Sequence, residues 1–375
     1  MYLYSLLAWL HWDPPRFAFT LPYLNHSVAW YGICFAFGFM LGFLIVIPIF
    51  KRKLEQTNKI LERDISNWSF LITHLRKAIG FKENPISPIF KKLGKEAQES
   101  IGKLQFKQEP DKFLKQEIIQ ALNASLSDRK LRYSRETLEG LFPKVIYKLQ
   151  ELALYLTDRM TWFIVLGTIV GARLGHVFFY EWPRYQKNPI DIIKVWEGGL
   201  ASHGAALGIM LAIFLYQRMI CKRFPEFTFV DLLDILCIPA SIAAVWIRIG
   251  NFINQEIVGP VTTVPWAIVF GNPVEGRGAL PRHPSQLYEA AIYLLTFCVL
   301  YFLWKKKSAI LKPGTLTGLF MIFVFGSRFL VEFVKNSHSL MIDESFLHAG
   351  QYLSLPFILL GCALLFYSRR HKSSA

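Results

Sequence analysis

Seven long apolar runs, separated by polar segments, form the main pattern of the chain. A helix that crosses a hydrocarbon core about 30 Å thick needs about 20 mostly apolar residues. Each run is long enough for one crossing, so the pattern predicts an all-α integral membrane protein with about seven transmembrane helices. The runs lie at residues 28–50, 157–180, 200–220, 229–249, 285–304, 314–334 and 352–368.

A polar segment, residues 51–156, separates the first run from the second. It holds 21 of the 42 basic residues and 13 of the 27 acidic residues of the chain, which gives it a net charge of +8. Apolar residues still recur in it at helical spacing, as at Leu61 and Ile65. We therefore expect three parts: an N-terminal arm with the first helix (1–50), a basic, mostly helical insertion, and the six-helix remainder of the membrane domain (157–375).

Basic residues are concentrated in alternate loops, which sets the expected orientation in the membrane. Lys51–Lys53, Lys305–Lys307 and Arg369–Arg370 follow apolar runs on one side, whereas the opposite loops carry balanced charges. Because cytoplasmic loops are enriched in Lys and Arg, we expect the N terminus outside, and the C terminus and the insertion in the cytoplasm. The basic surface of the insertion either lies on anionic lipid or faces solvent. The net charge of +15 follows from this topology, so we expect no nucleic-acid partner.

The cysteines and histidines give no sign of a metal site. The five cysteines lie in or beside the apolar runs or on the expected cytoplasmic side, and none forms a C-x-x-C pair. No histidine shows the H-E-x-x-H spacing of a zinc site. The sequence therefore predicts no disulfide, no metal and no cofactor.

One arginine lies near the end of a long apolar run, and a polar cluster follows it. Arg248 precedes Asn251, Asn254, Gln255 and Glu256. A charged side chain well inside a bilayer costs about 2.5–3.5 kcal/mol on insertion scales and usually has a function. The cluster predicts a site for a phospholipid head group or another anionic substrate. The alternative is an arginine whose side chain extends to the interface and only marks the end of a helix.

Further polar side chains lie in or beside the apolar runs. Arg173 stands between small residues, and it is either a structural ion-pair partner or a substrate contact. His203 follows two glycines, and an imidazole changes protonation near neutral pH. Arg328 and Glu332 are four residues apart and share a helix face. They either neutralise each other, or Glu332 orients Arg328 toward a phosphate.

Five stretches of the chain, in this order, carry a resemblance to a known family. They are Trp30-Tyr31-Gly32, Gly198-Gly199…His203-Gly204, Arg248-x-Gly250-Asn251-Phe252-x-Asn254-Gln255-Glu256-x-x-Gly259, Arg282-His283-Pro284-Ser285-Gln286-Leu287-Tyr288-Glu289 and Arg328-x-x-x-Glu332-Phe333. Together they resemble the prolipoprotein diacylglyceryl transferase family. The resemblance covers residues 13–50 and 157–370, and it does not cover the insertion, which is longer than the family's usual loop there.

The sequence departs from the family pattern at two positions. Ala205 replaces the second glycine usually seen after the histidine. Val324 stands four residues before Arg328, where a tyrosine is usual. Any role of that tyrosine is therefore dispensable here or is taken over by another residue such as Tyr288.

The resemblance implies a transferase of the bacterial inner membrane, with its active site toward the outer side. Such an enzyme moves the diacylglyceryl group of phosphatidylglycerol to the lipobox cysteine in the signal peptide of a prolipoprotein. A thioether forms and glycerol phosphate leaves. A carrier or flippase for an anionic lipid or organic phosphate is the alternative, although it should show repeat symmetry that we do not see. A membrane scaffold that recruits a partner through the insertion would leave the polar cluster unexplained.

The same resemblance implies roles for individual residues. The leaving group is an anionic phosphate ester, which arginines can stabilise in the transition state. A thiol is mostly protonated at pH 7, so a base is also needed, and His203 is the first candidate, with Glu256 or Glu332 as alternatives. The expected catalytic residues are therefore His203, Arg248, Arg328, Glu256 and Glu332. The expected phosphatidylglycerol-binding residues are Tyr31, Arg248, Asn251, Asn254, Gly259 and Arg328.

Overall fold

A computed structural model describes most of the chain and divides it into two compact units. The described residues are 9–22, 26–57, 59–79, 84–105, 108–274, 279–307, 310–332 and 349–370. Met1–Val46 and Met160–Ala375 form the membrane unit, and Ile47–Arg159 form the insertion unit.

Helices make up most of the described residues. In chain order they are α1 (Trp30–Gln56), α2 (Trp68–Lys77), α3 (Ser87–Phe90), α4 (Lys95–Lys103), α5 (Lys112–Ser127), α6 (Arg135–Leu141), α7 (Leu149–Phe179), α8 (Trp182–Lys187), α9 (Ser202–Ile220), α10 (Phe229–Ile253), α11 (Ser285–Lys307), α12 (Thr315–Val331) and α13 (Ala349–Arg370). Short 3-10 turns lie at Glu62–Asp64, Pro189–Ile193 and Val195–Glu197.

Six of the described helices are long and apolar enough to cross a membrane. They are α1, α7, α9, α10, α11 and, over Gly350–Arg370, α13. The prediction of a mostly helical, multi-pass membrane protein is therefore confirmed. The remaining predicted span, 314–334, corresponds to α12, whose 17 residues cover only about 26 Å at 1.5 Å per residue. Residues 333 and 334 of that prediction lie outside the described residues.

Glycines let α7 and α9 pack closely. Gly171 and Gly175 of α7 face Gly204 and Gly208 of α9. A Cβ atom on Gly171 would lie 2.7 Å from the Cα of Gly208, and one on Gly175 would lie 2.7 Å from the Cα of Gly204. Small residues at this spacing allow two helix backbones to approach within a membrane.

A buried aspartate on α10 fixes the start of α12. Oδ2 of Asp234 accepts a 2.8 Å hydrogen bond from the backbone N–H of Gly314, and Oδ1 accepts a 2.7 Å bond from that of Thr317. The first N–H groups of a helix have no partner within the helix, so this carboxylate caps α12. The cap ties the two helices that carry Arg248 and Arg328 to each other.

Five short strands lie in segments for which the sequence predicted no strand. β1 (Leu10–Trp12), β4 (Ile268–Phe270) and β5 (Pro281–Arg282) form a sheet in the order β1-β4-β5, with β1 parallel and β5 antiparallel to β4. β2 (Phe17–Leu21) and β3 (His26–Ala29) form an antiparallel hairpin just before α1. Strands of two to five residues are too short to give a clear period in the sequence.

The insertion unit has its own apolar core. Its helices α2, α5 and α6 begin at the caps Asn67, Asp111 and Ser134, whose side-chain oxygens accept hydrogen bonds from the first turn. Fully buried side chains between the helices include Leu71, Leu75, Ile101, Ile118 and Leu122. After this unit's last short helix, α7 runs without a break from Leu149 to Phe179.

Candidate functional site

Arg248 is held in place by two polar partners at the end of α10. Its Nε lies 2.5 Å from Oε2 of Glu289 on α11, and its Nη1 donates a 3.2 Å hydrogen bond to Oδ1 of Asn251. The Glu289 carboxylate is 2% exposed, whereas 18% of the Arg248 side chain remains accessible. Glu289 and Asn251 therefore orient the guanidinium, and N–H donors remain for a ligand.

Glu256 is the centre of a second set of contacts directly after α10. Its Oε2 accepts a 2.9 Å bond from Nδ2 of Asn251, and its Oε1 accepts a 3.1 Å bond from Nδ2 of Asn254. Nε2 of Gln286 donates to the Glu256 carbonyl at 2.6 Å. Because carboxylate and carbonyl oxygens only accept here, the orientation of all three amides is fixed. Arg248, Asn251 and Glu256 thus form one continuous chain of hydrogen bonds.

The backbone around Glu256 adopts an uncommon conformation. Gln255 and Ile257 have φ angles of 56° and 57°, which non-glycine residues rarely adopt. Gln255 is held by both ends of its side chain, since Nε2 donates to Asp13 at 2.9 Å and Oε1 accepts from the N–H of Asn272 at 2.7 Å. Such conformations persist where the surroundings enforce them, and they concentrate at functional sites.

Tyr31 joins the same cluster from the first turn of α1. It interacts electrostatically with Glu256 and with Arg248. A Cβ atom on Gly250 would lie 3.0 Å from Cδ2 of Tyr31, so the glycine allows the ring to approach α10. The structure thus brings together five predicted residues, namely Tyr31, Arg248, Asn251, Asn254 and Glu256.

Gly259 packs against the backbone that leads into α11. A Cβ atom on Gly259 would lie 2.5 Å from the carbonyl oxygen of His283 and 2.8 Å from its Cβ. The N–H of Gly259 donates to that same carbonyl at 3.0 Å. This contact gives Gly259 a structural reason to lack a side chain, and its role in lipid binding stays a prediction.

Arg328 is exposed on α12 and lies within electrostatic range of Tyr293 on α11. The Tyr293 hydroxyl forms a hydrogen bond with Arg248 and interacts electrostatically with Arg328 and Glu289. Val324 packs on the apolar cluster of α10 and α11 that includes Tyr293. Tyr293 therefore binds Arg248 and lies within electrostatic range of Arg328, whereas the usual tyrosine position, 324, holds a valine.

Glu332 does not pair with Arg328 among the described residues. Its carboxylate lies against Gly350 of α13, where a Cβ atom would be 2.5 Å away. α12 ends at Val331, and Glu332 is its C-terminal cap, whose N–H still donates to the Arg328 carbonyl, so the shared helix face stays a prediction. Phe333 of the same motif lies outside the described residues.

His203 lies apart from the arginine cluster. It is an exposed residue in the first turn of α9, and its ring centroid is 5.1 Å from that of Phe179 and 5.7 Å from that of Tyr180. Within the described part of the chain the ring forms no hydrogen bond. α9 and α10 follow each other in the chain and contact each other. Among the described residues no contact links His203 to Arg248.

Arg173 is a structural arginine. It is 4% exposed, and its donors reach the carbonyl oxygens of Asp191, Ile192 and Gly198 at 2.5, 2.9 and 2.6 Å. Its guanidinium also lies 5.1 Å from the ring centre of Tyr185. Of the two open interpretations the structural one is therefore supported, because the side chain holds the loop between α8 and α9.

Four residues that complete the cluster had no role predicted from the sequence. Glu289 and Gln286 lie in the stretch that carried part of the family resemblance, so their motif was a usable signal. Tyr293 lies one turn beyond Glu289 on α11 and could have been found from that spacing. Asp13 bonds to Gln255 across a separation of 242 residues, and nothing local indicates this contact.

His283, Tyr288 and Trp266 form a separate hydrogen-bonded group near the start of α11. Nδ1 of His283 lies 3.0 Å from the Tyr288 hydroxyl, which also accepts a 2.8 Å bond from Nε1 of Trp266. Partial burial lowers the pKa of His283 below its ordinary value, because it disfavours the charged ring. Tyr288 is thus engaged with its neighbours in this group.

The described residues contain no group of three or more His, Cys, Asp or Glu side chains that could hold a metal ion. The site instead combines two arginines, two acidic residues, several amides and two tyrosines near the end of an apolar bundle. This set of side chains suits an anionic ester with an apolar body.

Comparison with known proteins agrees with this chemistry. Residues 143–367 match the family described as prolipoprotein diacylglyceryl transferase. The chain is also 43% identical over 363 residues to a phosphatidylglycerol–prolipoprotein diacylglyceryl transferase of Protochlamydia amoebophila, which covers 96% of this chain and 95% of that relative. The chain belongs to the prolipoprotein diacylglyceryl transferase family.

Other relatives differ in how much of the chain they match. Proteins of the same name from Tolumonas auensis and Chlamydia pneumoniae are 43% and 41% identical over 216 and 214 residues. These alignments cover 58% and 56% of this chain, and 80% and 74% of the respective relatives. The alignment with the Protochlamydia relative therefore extends through the insertion, whereas these two cover little more than half of the chain.

Proposed function

We propose that the protein transfers the diacylglyceryl group of phosphatidylglycerol to the lipobox cysteine of a prolipoprotein. In this reaction the cysteine sulfur attacks the glyceryl carbon that bears the phosphate. A C–S bond forms, the C–O bond to the phosphate breaks, and glycerol phosphate leaves with the bonding electrons. The thiol proton passes to a base of the protein.

The contact that carries this proposal is the pair of Arg248 and Glu289. Phosphate oxygens gain negative charge as the C–O bond breaks, and a preoriented guanidinium stabilises that charge without reorganisation. Glu289 binds Nε and Asn251 accepts from Nη1, so in this proposal remaining Nη hydrogens of the guanidinium bind the leaving group. Arg328, which interacts with Tyr293 in the same cluster, contributes the second positive charge.

Glu256 and the neighbouring amides bind the glycerol head group in this proposal. Asn251 and Asn254 hold the Glu256 carboxylate in one orientation, and each of its oxygens keeps a lone pair for a hydroxyl group. Tyr31 covers the same cluster from α1. Gly259 acts indirectly, because its close packing on His283 fixes the segment after Glu256.

His203 accepts the thiol proton. The Glu256 carboxylate already accepts two amide hydrogen bonds beside Arg248, which makes it a poor base. Glu332 lies against Gly350 on α13. The exposed His203 ring is engaged only by aromatic neighbours among the described residues.

The orientation in the bacterial inner membrane follows from the charges at helix ends. Basic residues occupy the last turns of α1, α11 and α13, which are expected on the cytoplasmic side. Counting α12 as the seventh crossing puts the N terminus and the Arg248 end of α10 outside and the insertion in the cytoplasm. A membrane-impermeant maleimide should then label Glu181→Cys in spheroplasts, in a background without other cysteines, and should leave Lys103→Cys unlabelled until lysis.

The transfer itself is tested with purified full-length protein, acyl-labelled phosphatidylglycerol and a lipobox peptide. We expect alkali-stable label on the peptide, one glycerol phosphate released per peptide modified, and no label on a Cys→Ala peptide. Lipid binding without transfer, together with lipid movement across a vesicle membrane, would instead identify a carrier.

A further inference from the structure

The β2–β3 hairpin exposes an apolar strand. On β2, the side chains of Phe17, Phe19 and Leu21 are 54%, 53% and 37% exposed. On β3, Ser27 and Val28 are half-buried, so the β2 side of the hairpin faces away from the rest of the unit. Among the described residues no third strand pairs with the hairpin, and the outer edge of β2 forms no ladder.

The residues that flank the hairpin, before β2 and after β3, interact with the candidate site. Its base is closed by a 3.1 Å hydrogen bond from the N–H of Trp30 to the carbonyl of Arg16. The residue after Trp30 is Tyr31, which interacts with Arg248 and Glu256. On the other side, Asp13 accepts the hydrogen bond from Gln255. The exposed strand therefore leads directly to the arginine cluster.

An exposed apolar strand with an open edge has two kinds of unsatisfied groups, its apolar side chains and its edge backbone groups. Its side chains are stabilised by contact with apolar groups, and its edge N–H and C=O groups need hydrogen-bond partners. Lipid tails would contact the side chains only, because they carry no groups that pair with backbone N–H and C=O. An extended apolar peptide satisfies both kinds of groups, because an added strand pairs with the edge while alternate side chains pack on the neighbouring strand.

We propose that the outer edge of β2 binds the apolar lipobox segment of the prolipoprotein as an added strand. This inference rests on the proposed function, because the reaction requires a peptide cysteine at Arg248. A strand rises about 3.3 Å per residue, so a segment paired along the five residues of β2 spans about 16 Å. A segment that runs antiparallel to β2 ends at the hairpin base, which brings the following cysteine beside Tyr31.

The first test compares Phe17→Ser and Phe19→Ser with Phe302→Ser, a control at an exposed position on α11, where 55% of the residue is exposed. All are assayed as full-length protein with lipobox peptide and phosphatidylglycerol. We expect the KM for the peptide to rise about tenfold or more in the hairpin variants. The kcat and the KM for phosphatidylglycerol should stay at wild-type values, and the control should match wild type. An unchanged peptide KM, or equal rises in both KM values, would overturn the proposal.

A second test addresses strand pairing itself. Lipobox peptides with one N-methylated backbone amide at successive positions remove one hydrogen-bond donor at a time. Pairing with β2 predicts that the KM rises at every second position, because alternate amides of a strand point to the same neighbour. A uniform effect, or no effect, would contradict strand addition even if the phenylalanine variants bind the peptide poorly.

A third test separates peptide from lipid as the occupant. Phe19→p-benzoylphenylalanine is irradiated in phosphatidylglycerol vesicles with a Cys→Ala lipobox peptide, which binds without reacting. We expect a cross-link to the peptide, and cross-linking to lipid alone would overturn the proposal. Transfer by wild-type protein is measured alongside. Without wild-type transfer the proposed function itself fails, whereas transfer with normal hairpin variants removes only this inference.

Discussion

The carboxylate of Glu289 on α11 fixes the guanidinium of Arg248 on α10, with 2.5 Å between Oε2 and Nε. The pair joins two neighbouring helices at the point where the apolar part of α10 ends. Because Glu289 is almost fully buried, its charge depends on Arg248 for compensation.

Replacing Glu289 should therefore affect both stability and activity. In Glu289→Gln the arginine loses its charged partner, and breaking a buried pair typically costs about 3–5 kcal/mol. We expect a lower melting temperature in detergent and a raised KM for phosphatidylglycerol. Glu181→Gln is the matched control, since Glu181 pairs with Arg184 at an exposed position, where such pairs contribute little. Wild-type values for Glu289→Gln would show that Arg248 needs no such support.

Replacing His203 should lower the rate with little effect on folding. General bases typically contribute about 10²–10⁴-fold to a rate, so His203→Gln should reduce kcat by at least 100-fold. Its exposed position predicts a normal melting temperature. His11→Gln, at an exposed histidine of β1, is the control and should retain full activity. If His203→Gln keeps most of its kcat, the base is another group, and Glu256→Gln becomes the next variant.

We expect that a side chain at Gly208 is not accommodated where α7 and α9 pack together. A Cβ atom on Gly208 would lie 2.9 Å from the Cα of Gly171, and backbone cannot move aside as a flexible side chain can. We expect Gly208→Ala to cost about 1–3 kcal/mol, measured as thermal unfolding in detergent. Gly326→Ala serves as the control, because no atom lies within 4 Å of its added Cβ. Equal stability of the two variants would refute close packing at Gly208.

The insertion should be dispensable for transfer. Relatives of the same name align with little more than half of this chain, and the insertion unit has an apolar core of its own. Replacing residues 57–148 by a flexible Gly-Ser linker should keep kcat and both KM values within about twofold of wild type, since loop closure adds little free energy. A well-expressed but inactive deletion would assign the insertion a part in the reaction.

Local patterns in the sequence predicted much of the membrane unit. The apolar runs predicted the six long helices, because a membrane crossing requires about 20 apolar residues in succession. The cluster from Arg248 to Glu256 was predicted for a similar reason, since its members are close in sequence and extend from the end of a single helix. The five strands were missed, because each holds at most five residues and pairs with distant segments.

The sequence did not indicate the contacts between residues of separate elements. Asp13 meets Gln255, and Glu289 meets Arg248, through the packing of separate elements. The four-residue spacing allowed Glu332 either to neutralise or to orient Arg328, and it did not indicate that the Glu332 carboxylate lies against Gly350 of α13.

Stabilisation of the leaving phosphate by Arg248 is the central claim, and single-turnover transfer from phosphatidylglycerol to a lipobox peptide tests it most directly. We expect Arg248→Ala to slow the chemical step by about 10²–10³-fold at saturating lipid. Arg248→Lys should restore only a small part of that loss, because an ammonium cannot bond to Glu289, Asn251 and phosphate at once. Wild-type transfer rates in Arg248→Ala, with both substrates bound, would contradict the claim.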